Sequence, residues 1–179
     1  MAEETKTPFW KPALIYGAIV GFVSILLGVI LYIMGLTTQN WVSWITSLIT
    51  LAVLIYCLVA YRKEYLGGFA SYGQIFLMAL MIGIISTILS TLYSYILMGI
   101  IDPELIDKIK LAAEEKIMTN PRIPESYQDV ALERLDKQMT LQRMLIMGAV
   151  GGIVINAVIG LIAAAFIKKE EAPFNNAPD

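Results

Sequence analysis

The sequence predicts an all-α integral membrane protein, a four-helix bundle with an extramembrane helical hairpin between spans three and four. Three observations carry that prediction. Hydrophobic residues make up 58% of the 179-residue chain and the mean hydropathy is +0.70, more apolar than a soluble domain of this size tolerates. Four runs exceed the roughly 20 helical residues needed to cross a ~30 Å hydrocarbon layer. Only one internal stretch, between the third and fourth runs, is rich in both charge and helix-start signals.

Residues 1–11 read as a loose polar segment on the cytoplasmic side. Glu3 and Glu4 offset Lys6, and the apolar run that follows is too long for a cleavable signal. Span one then runs from about Pro12 to Leu36, with proline where a first helical turn accepts it. Ala13, Gly17, Gly21, Ser24 and Gly28 fall three and four apart, the small-residue pattern by which membrane helices approach closely. A short turn without Lys or Arg leads to Trp41 and Trp44, placed for an interfacial aromatic belt. Span two runs from about Trp41 to Tyr61, antiparallel to the first.

The stretch Arg62 to Phe76 is the short charged loop between long apolar runs. Gly67-Gly68 opens a turn, and Ser71-Tyr72-Gly73-Gln74 fits the S-x-x-Q capping box, so Ser71 and Gln74 start a helix near Tyr72. The plain reading is a basic turn between membrane helices. The sharper one is that the small Gly67-Gly68 site receives a partner or a lipid headgroup.

Span three carries no charge from Tyr72 through Ile101. As a helix it would reach about 45 Å at ~1.5 Å per residue, so it must tilt or project beyond the bilayer. Gly83, Ser86, Thr87, Ser90, Thr91 and Ser94 form a hydroxyl-bearing stripe. Those hydroxyls either bond a carbonyl one turn back or a neighbouring helix, or they line a permeation path.

Residues 102–140 form the extramembrane hairpin. Asp102-Pro103-Glu104 reads as a helix start, with Asp102 capping and Pro103 in the first position. Leu105, Ile109, Ala113 and Ile117 make an apolar stripe, and Asn120 to Pro124 breaks the helix. A second helix over Glu125 to Thr140 carries Tyr127, Ala131, Leu135 and Met139 on one face. The two stripes should face each other or the membrane surface.

Span four covers residues 141–167. Gly148, Gly152, Asn156, Gly160 and Ala164 repeat every four residues, the most regular small-residue seam in the chain. Asn156 reads as an interhelical hydrogen-bond donor, with substrate contact as the alternative. Residues 168–179 read as a disordered C-terminal tail. Basic residues at span ends predict both termini in the cytoplasm, and the expected location is the cytoplasmic (inner) membrane.

The function classes narrow accordingly. There is no histidine, and no P-loop or dinucleotide glycine pattern occurs. The acids Asp102, Glu104 and Asp107 read as a cap and a solvated face. No catalytic residue, metal site or cofactor is expected, and the net charge of −2 gives no sign of nucleic-acid binding. Cys57, alone in an apolar run, reads as a packing residue. The expected partners are the lipid bilayer and either a second copy or other membrane proteins. The expected role is an interaction, assembly or accessory subunit. The alternative is an oligomeric transporter or channel for a neutral or lipid-like solute.

Leu66-Gly67-Gly68-Phe69-Ala70-Ser71-Tyr72-Gly73-Gln74 and Ile101-Asp102-Pro103-Glu104-Leu105, with the four-span layout and the closing Lys168-Lys169-Glu170, resemble the bacterial membrane family called domain of unknown function 4199. The similarity covers nearly the whole chain. It implies a small bacterial integral membrane protein and supplies no catalytic residues.

Overall fold

The computed structural model describes residues 9–169. The segment before Phe9 and the tail from Glu170 onward lie outside the described residues. Six α-helices follow one another: α1 (Trp10–Ile33), α2 (Asn40–Tyr65), α3 (Tyr72–Ile96), α4 (Leu105–Met118), α5 (Glu125–Gln138) and α6 (Leu141–Ile167). Four of them, α1, α2, α3 and α6, are long and apolar enough to cross a membrane, which makes this a multi-pass membrane protein.

The boundaries differ from expectation in two places. Lys11 lies inside α1, which starts before Pro12. Arg62 and Lys63 form the last turn of α2, so the connecting loop is shorter than the charged stretch suggested. Cations there meet the negative end of the helix dipole. The loop turns at Gly67 (φ 62°) and Gly68 (φ 93°), values that favour glycine. The capping box then opens α3 as expected. Ser71 Oγ accepts from the Gln74 N–H at 3.3 Å, and Gln74 Oε1 accepts from the Ser71 N–H at 2.9 Å. After Ile96 the helix widens into a π-helical turn, Leu97–Ile101, closed by the Asp102 N–H on the Leu97 carbonyl at 2.8 Å.

α3 is the central helix and shares its longest interfaces with α1 and α6. The small residues explain why. A methyl added at Gly17 would come within 2.7 Å of Ile85, and one at Gly21 within 2.7 Å of Leu89. On the other flank, Gly160 lies against Ala79 and Gly152 against Thr87. The tightest approach is at Gly83, where an added Cβ would stand 2.5 Å from that of Asn156. Both glycine-bearing stripes therefore pack on α3 and not on each other. Gly148 departs from its predicted role, since nothing would lie within 4 Å of an added methyl there. Lipid tails are as apolar as leucine, so close backbone approach and van der Waals contact hold such helices together.

The end of the bundle that carries the start of α1 and the end of α6, here the basal end, is tied by polar contacts. Arg62 Nη1 donates to the Ile167 carbonyl at 2.7 Å, and Tyr16 Oη donates to Glu64 at 2.9 Å. Ala70 and Lys169 exchange backbone hydrogen bonds as an isolated antiparallel bridge. Lys169, assigned by sequence to the disordered tail, is thus held, and its ammonium lies over the Phe69 ring. Phe9, Tyr16, Tyr61 and Tyr65 stack around these bonds.

At the opposite end sits the hairpin. α4 and α5 pack on each other and are joined by an ion pair between Lys110 and Asp136. Ile109 and Ala113 face inward with Ala131 and Leu135, while Tyr127, expected on that stripe, is exposed. The Asp102 cap is a second correction. The N-cap of α4 is Glu104, without a side-chain bond. Besides a contribution from the Leu105 backbone N–H, the Asp102 carboxylate accepts from Tyr32 Oη of α1 and from Lys108 Nζ, each at 3.2 Å. Partial desolvation pushes this carboxyl up, yet the bonds from Lys108 and Tyr32 outweigh it and hold it below the usual carboxylate value. The same bond raises the Lys108 ammonium. Lys116 Nζ also reaches the Thr38 carbonyl, at 3.4 Å, in the turn between α1 and α2.

Two outcomes follow. Gly83→Ala should lower the thermal midpoint in detergent, at an overpacking cost of about 1–3 kcal/mol, whereas Gly148→Ala should leave it unchanged or slightly raised. Equal effects at the two positions would contradict the packing described. The hairpin tie has a defined pH window. Because the folded carboxyl titrates below its unfolded value, the Asp102 contribution is present above that unfolded value. It is lost as pH falls through the folded one. Lys108 contributes below its ordinary value, and that contribution is lost as pH rises through its raised one. Spin labels at Gln39 and Glu115 should therefore show a narrow separation at neutral pH that broadens in acid. Asp102→Asn should broaden it already at neutral pH, and an unaffected distribution would remove the tie's role.

Candidate functional site

α2 leans on α1 at the basal end but makes little contact with α3 and α6. Of the buried α2 residues, Leu54, Cys57, Leu58 and Tyr61 cluster toward that end, and Val42 is buried near the other. Towards the hairpin the helices leave a cleft with two lobes. One, of about 300 Å³, lies between α1, α2 and α6 and is lined by Ser24, Thr46, Ser47 and Thr50 among apolar neighbours. The other, of about 290 Å³, is lined by Ser86, Thr87, Ser90, Thr91 and Ser94 of α3 and by Gly148 and Gly152 of α6. Ser24, Thr50 and Asn156 line both lobes. Their size falls at the lower limit of small-molecule pockets, roughly 300–1,000 Å³.

The lining chemistry is unusual for the interior of a membrane bundle. Nine hydroxyls and one carboxamide face the two lobes, and no lining residue is charged. Four of the hydroxyls are spent on carbonyls of their own helix: Ser24 on Val20, Thr46 on Val42 and Ser43, Ser47 on Ser43, and Ser86 on Gly83. Of the stripe on α3, only Ser86 makes the backbone bond that the plain reading expected. Thr50, Thr87, Ser90, Thr91 and Ser94 have no hydrogen-bond partner among the described residues. Thr87 is only 8% exposed. These hydroxyls open on the lobes and are free to bond a polar guest.

Asn156 is a further correction. It donates to the Gly152 carbonyl of its own helix at 2.8 Å and makes no interhelical bond. Its carbonyl oxygen stands 3.5 Å from where a Cβ would lie at Gly83. Behind Gly28, which lines the first lobe, the Tyr93 hydroxyl is buried and has no partner among the described residues.

Of the sequence-predicted positions, the cleft gathers Gly148, Gly152 and Asn156. Gly17, Gly21 and Gly160 hold the walls in place. Gly67, Gly68, Ser71 and Gln74 form the basal turn, away from the cleft, and Asp102 and Pro103 stand at the hairpin end. The hydroxyls of spans one and two went unread as lining, although Ser43, Thr46, Ser47 and Thr50 recur at helical spacing in an otherwise apolar run. Among the described residues no group of three or more His, Cys, Asp or Glu side chains comes together to hold a metal ion.

No curated protein and no solved structure matches the chain. Residues 15–169 match a family described as "Protein of unknown function (DUF4199)". The match takes in the four long helices, the capping box, the hairpin and both lobes of the cleft, and the chain belongs to the DUF4199 family.

Proposed function

We propose that the protein binds a neutral, hydrogen-bonding solute within the membrane, in the hydroxyl-lined cleft, and carries or holds it there. The observation behind this reading is the set of five unpartnered hydroxyls, with Asn156, lining a cavity that has no charged lining residue. Ionisable groups at mid-membrane are the usual mark of ion-coupled transport, so a neutral guest suits the lining. One chain supplies the walls on four helices, so this reading does not need the oligomer that the sequence suggested for a pathway.

On this reading the site lies in the cytoplasmic membrane, with the basal end inside. Arg62, Lys63, Lys168 and Lys169 gather at that end, and cytoplasmic loops carry the excess of Lys and Arg. A second reading, assembly with another membrane protein, is favoured by exposed apolar residues on the hairpin, Leu111, Met118, Tyr127 and Val130. Replacing Leu111 and Val130 with Glu should then reduce co-purified protein in a mild-detergent pull-down. Unchanged recovery would remove the hairpin from any such contact.

The cleft is tested with a membrane-impermeant thiol reagent on intact cells, in a Cys57→Ala background. Ser90→Cys and Thr87→Cys should react, and Ile88→Cys, on the exposed apolar face of α3, should not. A cysteine at Arg122 in the hairpin should react from outside, and one at Lys63 only after permeabilisation. If Ser90→Cys is as inert as Ile88→Cys, the cleft admits no polar solute and the reading fails.

A further inference from the structure

The cleft does not end at Asn156. Leu51 of α2 and Ile159 of α6, which line its first lobe, also line an apolar trough of about 340 Å³ that continues between the two helices toward the basal end. Ile55, Ile162, Phe166 and Ile167 complete it. Along α6, Ile159 to Ile167 spans about 12 Å at ~1.5 Å per residue. The hydroxyls occupy the hairpin-side half of the bundle, and the trough occupies the basal half. One passage thus changes from hydrogen-bonding to wholly apolar at Leu51 and Ile159.

From this geometry we infer that the cleft takes a neutral single-chain amphiphile. Its uncharged hydroxyl- or ester-bearing head lies among Thr50, Thr87, Ser90 and Asn156, and its acyl chain lies in the trough. The inference rests on the cleft being a binding site, as proposed above, and adds the class of ligand. Three features select that class. The head lobes offer groups that both donate and accept, which suits alcohols and esters. No Lys, Arg, Asp or Glu lines either half, so a phosphate or ammonium there would be desolvated and uncompensated. The trough volume is about eleven times the ~30 Å³ share of one liquid water, room for one chain segment. The trough is open to the bilayer, with Ile162 58% and Phe166 85% exposed, so the head lobe, bordered by the buried Thr87, is what separates this ligand from an ordinary lipid tail.

The test uses the full-length protein in nanodiscs and a monoacylglycerol with a diazirine at its chain end. The label should fall on Ile162, Phe166 or Ile167. Unlabelled monoacylglycerol should compete, and glycerol and the phosphate-headed analogue of the same chain should not. Thr87→Val with Thr91→Val should lower labelling about fivefold, the scale of one lost hydrogen bond. Ile159→Trp, which blocks the throat, should abolish it while Ser90→Cys in the same chain stays reactive, showing that the fold persists. Equal competition by the phosphate-headed analogue overturns the neutral class. Label on Leu51 or Ile155 means that the chain points the other way, with its head at Arg62, and also overturns the assignment. Competition by glycerol alone sinks the amphiphile but leaves the polar cleft. Absent labelling with a reactive Ser90→Cys does the same, whereas absent labelling with an inert one removes both.

Discussion

Close backbone approach at α3 is the constraint on which the bundle depends. In lipid no apolar surface is gained by pressing one greasy helix on another, so contact must come from fit. Gly17 and Gly21 admit Ile85 and Leu89 from one side, and Gly83 admits Asn156 from the other. Three helices are thereby locked into one slab. α2 has no comparable glycine. It carries Ser43, Thr46, Ser47 and Thr50 on its hairpin-side half instead, where Val42 is buried, and packs continuously from Leu54 through Leu58 and Tyr61. The cleft accompanies that asymmetry: where α2 carries hydroxyls and no glycine seam, it stands off α1 and α6.

The two ends of the molecule solve different problems. At the basal end, helix termini leave carbonyls without intrahelical partners, and these are met by Arg62 and by the pairing of Ala70 with Lys169. At the other end a water-exposed hairpin must be held to a membrane bundle. Tyr32 and Lys108 do so by converging on one carboxylate whose side chain is only 15% exposed. Asp102 follows directly on the π-helical turn and lies within reach of both.

Much of this architecture could be read from residues alone. Charge-free runs marked the four spans, the S-x-x-Q signature marked the start of α3, and the four-residue repeat of small residues marked the seams. Three things could not be read. A stripe shows that a helix has a close-packing face but not which neighbour it meets, so the convergence of both seams on α3 was hidden. Asp102 carried the local signature of a cap, and a tertiary partner 70 positions away in sequence, Tyr32, outweighed it. Serines and threonines in apolar helices ordinarily bond their own backbone, so nothing local separated Ser47, which does, from Thr50, which faces the cleft without such a bond.

The polar knot at the basal end also has a mechanical meaning. Arg62, Glu64 and the aromatic stack fasten α2 within its final turns, while at the far tip, some 24 residues away, Trp41 is exposed and the holds are fewer, the buried Val42 and the Lys116 contact to Thr38. A rod pinned at one tip pivots there, and its far tip sweeps the widest arc. Over about 36 Å of helix at ~1.5 Å per residue, a tilt of a few degrees at Tyr65 moves Trp41 by ångströms while Leu58 scarcely shifts. The fastening is thus a fulcrum, and the mouth of the chamber is where a small rotation has its greatest leverage.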